Sequence, residues 1–327
     1  MTKPLVVDFH VHFLEKDVLE QANGKTVLTG FGTRQPATAG GAQRIATLDK
    51  MLLPQRQIED MDRLGIDLNV ITSSTVIGGT SWADAKTEAE LVKRVNDRAA
   101  AWCAAFPQRF VGSFVLPLQD IDLSMREFER ATGELGLRVA NLGASYGGLY
   151  LGHARFHPLW EAVRNADVTV FIHPEGTKDL WFQDFGLWNS VGQPIEEAKV
   201  MSSIIYEGIF EKFPAVKIVM AHGGGYLPHY FGRLDRNVTN MPESTRNIKA
   251  KPSDYLASFY YDTCTYNASV IEALIRRVGV NRLVMGSDYP VGDADPIGSV
   301  KAVSTIGDAE RPMVLGGTAA KILGLSQ

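Results

Sequence analysis

Leu5-Val6-Val7-Asp8-Phe9-His10-Val11-His12 is the stretch from which the fold of this chain can be read. A run of large and β-branched residues ends in two histidines two positions apart. Residues two apart in a strand point to the same side, so both imidazoles can reach one ion. Alone the pattern is weak, because two surface histidines would look the same. Its weight comes from what recurs downstream.

Short apolar runs return along the chain and read as strands near Leu5–Phe9, Leu68–Thr72, Phe110–Val115, Leu137–Asn141, Val168–Ile172, Lys217–Met220, Phe259–Asp262 and Leu283–Gly286. Several are nearly continuous in apolar residues, as strands buried on both faces should be. Segments of helical composition lie between them, among them Pro54–Leu64, Thr87–Phe106, Leu123–Leu135, Ile195–Phe213 and Ala268–Val278. Strands alternating with helices eight times predict an α/β fold of the closed (β/α)₈, or TIM, barrel type. The 327 residues suit one such domain spanning the whole chain, since these barrels run to roughly 250 residues before insertions. A doubly wound open sheet is the alternative, and it would carry a Gly-rich turn after an early strand. Gly223-Gly224-Gly225 follows a late strand instead and reads as a close turn.

Phe13 to Leu53 predicts a long loop insertion after the first strand, with a middle rich in Gly, Thr and Ala. Loops of this length are uncommon unless functional. Leaving the C-terminal end of a strand, it would lie over the barrel mouth and cover a substrate.

Composition narrows the class. Hydrophobic residues make up 45% of the chain, enough for a large core. A formal net charge of −4, with no basic block, gives no electrostatic case for nucleic acid or a membrane surface. No stretch of about 18 apolar residues could span a bilayer. The N-terminal apolar run is broken by Asp8 and the histidines and does not read as a signal peptide. Cys103 and Cys264 are the only cysteines, so no disulfide framework is expected. A cytoplasmic protein is the plain expectation.

Of seven histidines, four sit at the ends of expected strands: His10, His12, His173 and His222. Asp288 follows the last one. Barrel enzymes place their active sites at the C-terminal ends of their strands. Three imidazoles and a carboxylate, from His10, His12, His173 and Asp288, could therefore hold one divalent metal ion with water or substrate as a further partner. His222 is then the expected general acid/base. A two-metal site would need a bridging carboxylate or modified lysine, and the fourth strand ends Val139-Ala140-Asn141-Leu142. His153, His157 and His229 fall in loops or helix starts and read as structural. Asp262, ending the seventh strand, reads as a hydrogen-bonding group within the barrel.

The motifs DFHVH, PQRFVGSFVLPLQD, VFIHPEG, GIFEKFPAVKIVMAHGGGYLPHYFGRLD, FYYDT and MGSDYP span nearly the whole chain. As a set they resemble the amidohydrolase superfamily, and within it the branch of aminocarboxymuconate semialdehyde decarboxylase. The resemblance implies the same barrel, a mononuclear site with Zn²⁺ or in some members Mn²⁺, and the ligands His10, His12, His173 and Asp288. His222 of the HGGG motif takes the acid/base role, with Asp288 assisting, and the protein is expected to be a homodimer. The resemblance also implies arginines that hold substrate carboxylates. Arg44 lies within about a residue of one such position, and Arg236 and Arg246 flank a second near Met241 without matching it. Arg233 matches the family pattern and reads as a brace. Glu175 and Trp188, downstream of His173, are the other expected substrate contacts, Trp188 by stacking on a planar ring.

The reaction implied is metal-dependent, nonoxidative decarboxylation of an aromatic or muconate-type acid. The alternative is a hydrolase or hydratase acting on a small carboxylated lactone, amide or unsaturated acid through metal-bound hydroxide. A non-catalytic binding barrel is a third reading, and the complete ligand set argues against it.

Overall fold

The computed structural model describes residues 4–26, 42–177 and 179–325. The apolar runs become β1 (Val7–Phe13), β2 (Leu68–Ser73), β3 (Phe110–Phe114), β4 (Val139–Leu142), β5 (Thr169–Ile172), β6 (Lys217–Met220), β7 (Tyr260–Asp262) and β8 (Leu283–Val284). All eight are parallel, and each neighbours the next in chain order. Backbone bonds between the two ends close the ring. Phe9 N–H donates to Met285 O at 2.8 Å, His12 N–H to Tyr289 O at 2.9 Å, and Tyr289 N–H to His10 O at 3.2 Å. This is the (β/α)₈ barrel that the strand count predicts.

Only β6 has its expected bounds; β2, β3, β4, β5 and β7 differ by one or two residues at their ends, and β1 and β8 depart in ways that matter for the site. β1 starts at Val7 rather than Leu5 and runs on to Phe13, because His12 and Phe13 still pair with Thr72 and Ser73. β8 stops at Val284 rather than Gly286, because Met285 N–H turns to Val314 O at 2.9 Å.

Val7 and Phe9 of β1 share a buried cluster with Leu68, Val70, Val139, Phe171, Val219 and Val284, against which Val111 and Tyr260 also pack. Every strand contributes, so this cluster fills the inside of the barrel. Ala319 and Ile322 of the last helix, Thr318–Leu323, join it and stopper one end. Val11 and Phe13 pack in a different cluster, with Ile71 and Trp102. The change of side falls where β1 shifts register against β2, between Asp8 and Val11. A register shift of this kind bends a strand and re-aims its side chains. It puts Phe9 in the barrel core and the two following histidines at its open end.

Pro54–Leu64 and Ala268–Val278 are helices with the expected bounds. The segment expected at Leu123–Leu135 starts earlier, at Ile121, because Asp120 caps it by accepting from Leu123 N–H, and it ends in a wide π turn at Arg130–Glu134. The segment expected at Ile195–Phe213 is two helices, Gln193–Tyr206 and Ile209–Lys212, broken at Gly208 where φ is 74°. The insertion after β1 is not loop throughout: Lys16–Ala22 and Ala42–Leu52 are helices, and residues 27–41 between them lie outside the described residues. Among the described residues no helix is long and apolar enough to cross a membrane.

Candidate metal centre

The open end of the barrel gathers His10 and His12 from β1, His173 just after β5, His222 after β6, Asp262 from β7 and Asp288 after β8. His10, His12 and His173 are almost wholly buried, and their ring centroids lie 5.0–5.1 Å apart. Asp288 Oδ1 stands 2.8 Å from His12 Nε2 and 3.2 Å from His10 Nε2. One donor atom from each of His10, His12, His173 and Asp288 lies within 4.8 Å of the others. The expected ligand set is thus brought together from opposite ends of the chain.

The far side of each ring is held. His10 Nδ1 is 2.7 Å from Asp262 Oδ2, and Asp262 Oδ1 accepts from Gly223 N–H at 3.0 Å and Cys264 N–H at 3.1 Å. His173 Nδ1 lies 3.1 Å from Thr75 Oγ1 and 3.0 Å from Pro174 O. Such partners fix the tautomer and aim the opposite nitrogen, as in metal-binding histidines generally. Asp8 ties the two ligand-bearing segments together, since its Oδ1 accepts from both His10 N–H and Ser287 N–H.

Charge in the cluster is divided unevenly. Burial works against ionising Asp288, but the neighbouring His10, His12 and His222 hold its carboxyl well below the usual range. Burial likewise disfavours charge on His10, yet Asp288 and Asp262 outweigh it and raise His10 to about 9. Burial depresses His12, and burial together with the neighbouring imidazoles depresses His173 strongly. Asp288, His12 and His173 are thus in the forms that bind metal, an anionic carboxylate and neutral imidazoles, while His10 would give up its proton to an ion. His10 Nε2 is buried at the centre of the group, 3.2 Å from Asp288 Oδ1 but not aligned for a hydrogen bond. That nitrogen, facing a carboxylate and two more imidazoles, fits a divalent metal ion.

His222 stands beside this set. It adopts φ 50°, followed by Gly223, Gly224 and Gly225 at φ 61°, 76° and 63°, which is the close turn expected of the glycine run. Its Nδ1 is 2.6 Å from Glu197 Oε1, and its Nε2 is 3.7 Å from Asp288 Oδ2. Burial opposes its protonation, but Glu197 and Asp288 raise it well above the usual imidazole range. Sequence reading did not find Glu197. The available signal was its place on the buried stripe of Gln193–Tyr206, with Gln193, Val200, Met201 and Ile204, where a carboxylate needs a partner.

A cavity of about 400 Å³ opens onto His12, His173 and Asp288. Met51, Val76, Ile77, Trp188 and Val291 line it with apolar surface, and Asn189, Gln193 and Tyr266 bring polar groups. Trp188 is therefore where the sequence placed it, at the mouth. Gly176, at φ 99°, lets the indole lie against the backbone, since a Cβ there would stand 3.1 Å from the ring. Glu175 does not line this cavity; it accepts from Ser81 Oγ at 2.8 Å and faces neighbouring space. Arg44 falls on the helix Ala42–Leu52, with its side chain outside the described residues. Arg233, Arg236 and Arg246 are exposed, away from the cavity lining. His153 caps a short turn by accepting from Arg155 N–H, and His157 packs edge-on against Phe213, as structural histidines.

Comparison with known proteins gives the same picture. Residues 7–325 match the amidohydrolase family. The chain is 28% identical over 277 residues to 2-amino-3-carboxymuconate-6-semialdehyde decarboxylase of Dictyostelium discoideum, covering 83% of this chain and 77% of that enzyme. It is 29% identical over 296 residues to gamma-resorcylate decarboxylase of Polaromonas sp. strain JS666, covering 84% and 88%. A solved dihydroxybenzoic acid decarboxylase from the same strain, holding manganese and the inhibitor 2-nitroresorcinol, superposes with a TM-score of 0.86 at 25% identity over 99% of this chain and 98% of that one. The chain therefore belongs to the amidohydrolase family, in its aminocarboxymuconate semialdehyde decarboxylase-like branch.

Proposed function

We propose that this protein is a metal-dependent, nonoxidative decarboxylase of an aromatic or muconate-type carboxylic acid. The observation that carries the reading is the convergence of His10, His12, His173 and Asp288 on one point beneath an open cavity, with His222 Nε2 3.7 Å from Asp288. The relatives support it, because those matched over most of their length are decarboxylases of such acids. Those four residues would hold one divalent ion, Zn²⁺ by the donor set, with Mn²⁺ the alternative seen in the Polaromonas structure. When bound, the ion supplies Lewis acidity, stabilising negative charge on substrate oxygens without redox chemistry.

The rest falls to the chain's own groups. Trp188, Met51, Val76 and Ile77 form an apolar wall against which a planar ring lies, excluding water from its face. As the bond to the carboxylate breaks, its electron pair stays on the ring carbon and CO₂ departs. A proton must then reach that carbon. His222 Nε2 and Asp288 Oδ2 hold and deliver it, while Glu197 fixes the imidazole through Nδ1. Arg44 is assigned the substrate's anionic group from the insertion after β1. The same reading takes the whole chain as one barrel domain that acts as a cytoplasmic homodimer.

The test is reconstitution. Chelator-treated protein, reloaded with one equivalent of Zn²⁺ or Mn²⁺, is screened against carboxylated phenols and muconate-type acids for CO₂ release. Release that depends on the metal is expected. Fully loaded protein that releases no CO₂ from any of these acids would overturn the proposal.

A further inference from the structure

Behind the loop that follows β2 lies a second, smaller cavity of about 30 Å³, one strand away from the ligands of the metal centre. Glu88, Asn141 and Glu175 line it, with Ser73, Ser81 and Tyr146. We propose that it binds a hard, oxygen-seeking cation, an alkali or alkaline-earth ion, between Glu88, Asn141 and Glu175.

The argument is one of unmatched acceptors. Glu88, on the helix Ala85–Ala105, and Asn141, at the end of β4, are each about 1% exposed. Gln119 and Thr80 reach the Glu88 carboxylate, but its Oε2, like Asn141 Oδ1, finds no donor among the described residues. The amide of Asn141 is oriented by its own nitrogen, which donates to Ser73 O at 2.8 Å and leaves the oxygen for the cavity. Glu175 adds a second carboxylate, one oxygen of which accepts from Ser81. The hydroxyl of Tyr146 already accepts from Gly143 N–H at 2.8 Å. No Lys, Arg or His lines the space among the described residues. A buried carboxylate such as Glu88 is costly to ionise with no cationic side chain among the described lining residues, and hard cations take carboxylate and amide oxygens together. The volume is sufficient, since about 10–15 Å³ admits one water-sized occupant.

The place matters for the metal centre. Thr75, on the wall of this cavity, stands 3.1 Å from His173 Nδ1. A cation here would brace the loop that orients a proposed ligand, without touching substrate.

Thermal melting of the protein, with its first metal loaded, tests this in Na⁺, K⁺, Mg²⁺ or Ca²⁺ chloride against choline chloride at equal ionic strength. Burial pushes Glu88 up to about 7, so the melts are run near about pH 8.5, where it is ionised. One of the ions should raise Tm saturably, by roughly 3–6 °C at about 100 times its Kd. Glu88→Gln should abolish that rise while retaining one equivalent of the first metal. Asn141→Asp, which adds a charge, should tighten the cation at least about tenfold, a change of about 1.4 kcal/mol. Tm rises no larger than in choline chloride, or an undiminished rise in Glu88→Gln, would overturn the proposal. So would an Asn141→Asp protein that is destabilised and gains no affinity, the result expected of a cavity that holds only water.

Discussion

At the scale of the residue, the proposed roles divide between groups that would hold the metal and groups that would move the proton. His173→Ala and Asp288→Ala each remove one of four converging donors, so metal content and turnover should fall together. Elemental analysis beside a rate assay checks this, and stoichiometric metal with full turnover in both variants would refute the ligand assignment. His222→Ala should behave differently: metal retained, turnover down by roughly 10²–10⁴-fold, the usual contribution of a positioned acid/base. Near-native turnover would make His222 structural. The convergence of His10, His12, His173 and Asp288 was legible in the sequence because each ends an apolar run, where barrel strands deliver their side chains. Glu197 was not, because its partner His222 is 25 positions away and a glutamate in a helix ordinarily reads as a solvated charge. Asp262 was read correctly as a hydrogen-bonding group, but its partner, His10, lies 252 positions off, and only closure of the barrel brings them together.

At the scale of the element, two features of the barrel set how accurately the proposed ligands are aimed. One is the register shift in β1, which turns His10 and His12 toward the centre after Phe9 has gone into the core. Hydrophobic alternation does not reveal it, since every residue of β1 is buried whichever way it points. The other is the crowding of β1, β7 and β8 at Gly286. A Cβ there would meet Asp262 Cβ at 2.8 Å and His10 Cβ at 2.9 Å. Gly286→Ala should therefore push His10 off its Asp262 partner and weaken metal binding by about 10–100-fold, the usual effect of disturbing a group behind a ligand. Competition with a chromophoric chelator measures it, and unchanged affinity would show that the barrel absorbs the methyl elsewhere. The insertion after β1 was legible as long and unusual, but its composition did not reveal its helices. Lys16–Ala22 is brief, and Gly and Thr just before Ala42 mask where the second begins. Arg44, on that second helix, should hold the substrate anion through a planar guanidinium fork. Arg44→Ala should then lower kcat/KM by more than about tenfold, roughly 1.4 kcal/mol, with metal unchanged and only partial recovery in Arg44→Lys. A wild-type kcat/KM in Arg44→Ala would move the anion anchor to Arg236 or Arg246.

For the whole molecule, the barrel is a one-ended vessel. The helix Thr318–Leu323 stoppers one end with Ala319 and Ile322, the strands fill the middle with Val and Phe, and the histidines crown the other end. Strand count and strand-end chemistry were enough to read this architecture, because parallel strands buried on both faces leave an unmistakable apolar run. The reaction was less legible, since the same barrel and the same ligands also suit enzymes that add water. Decarboxylation and hydration differ in the atoms of the product, and that difference is the direct test. The metal-loaded protein is given a carboxyl-¹³C aromatic substrate in D₂O, and gas and product are followed by mass spectrometry. The account predicts one ¹³CO₂ per substrate consumed and a product carrying one deuterium on the vacated carbon. A product that keeps its ¹³C carboxylate and has gained the elements of water would contradict it.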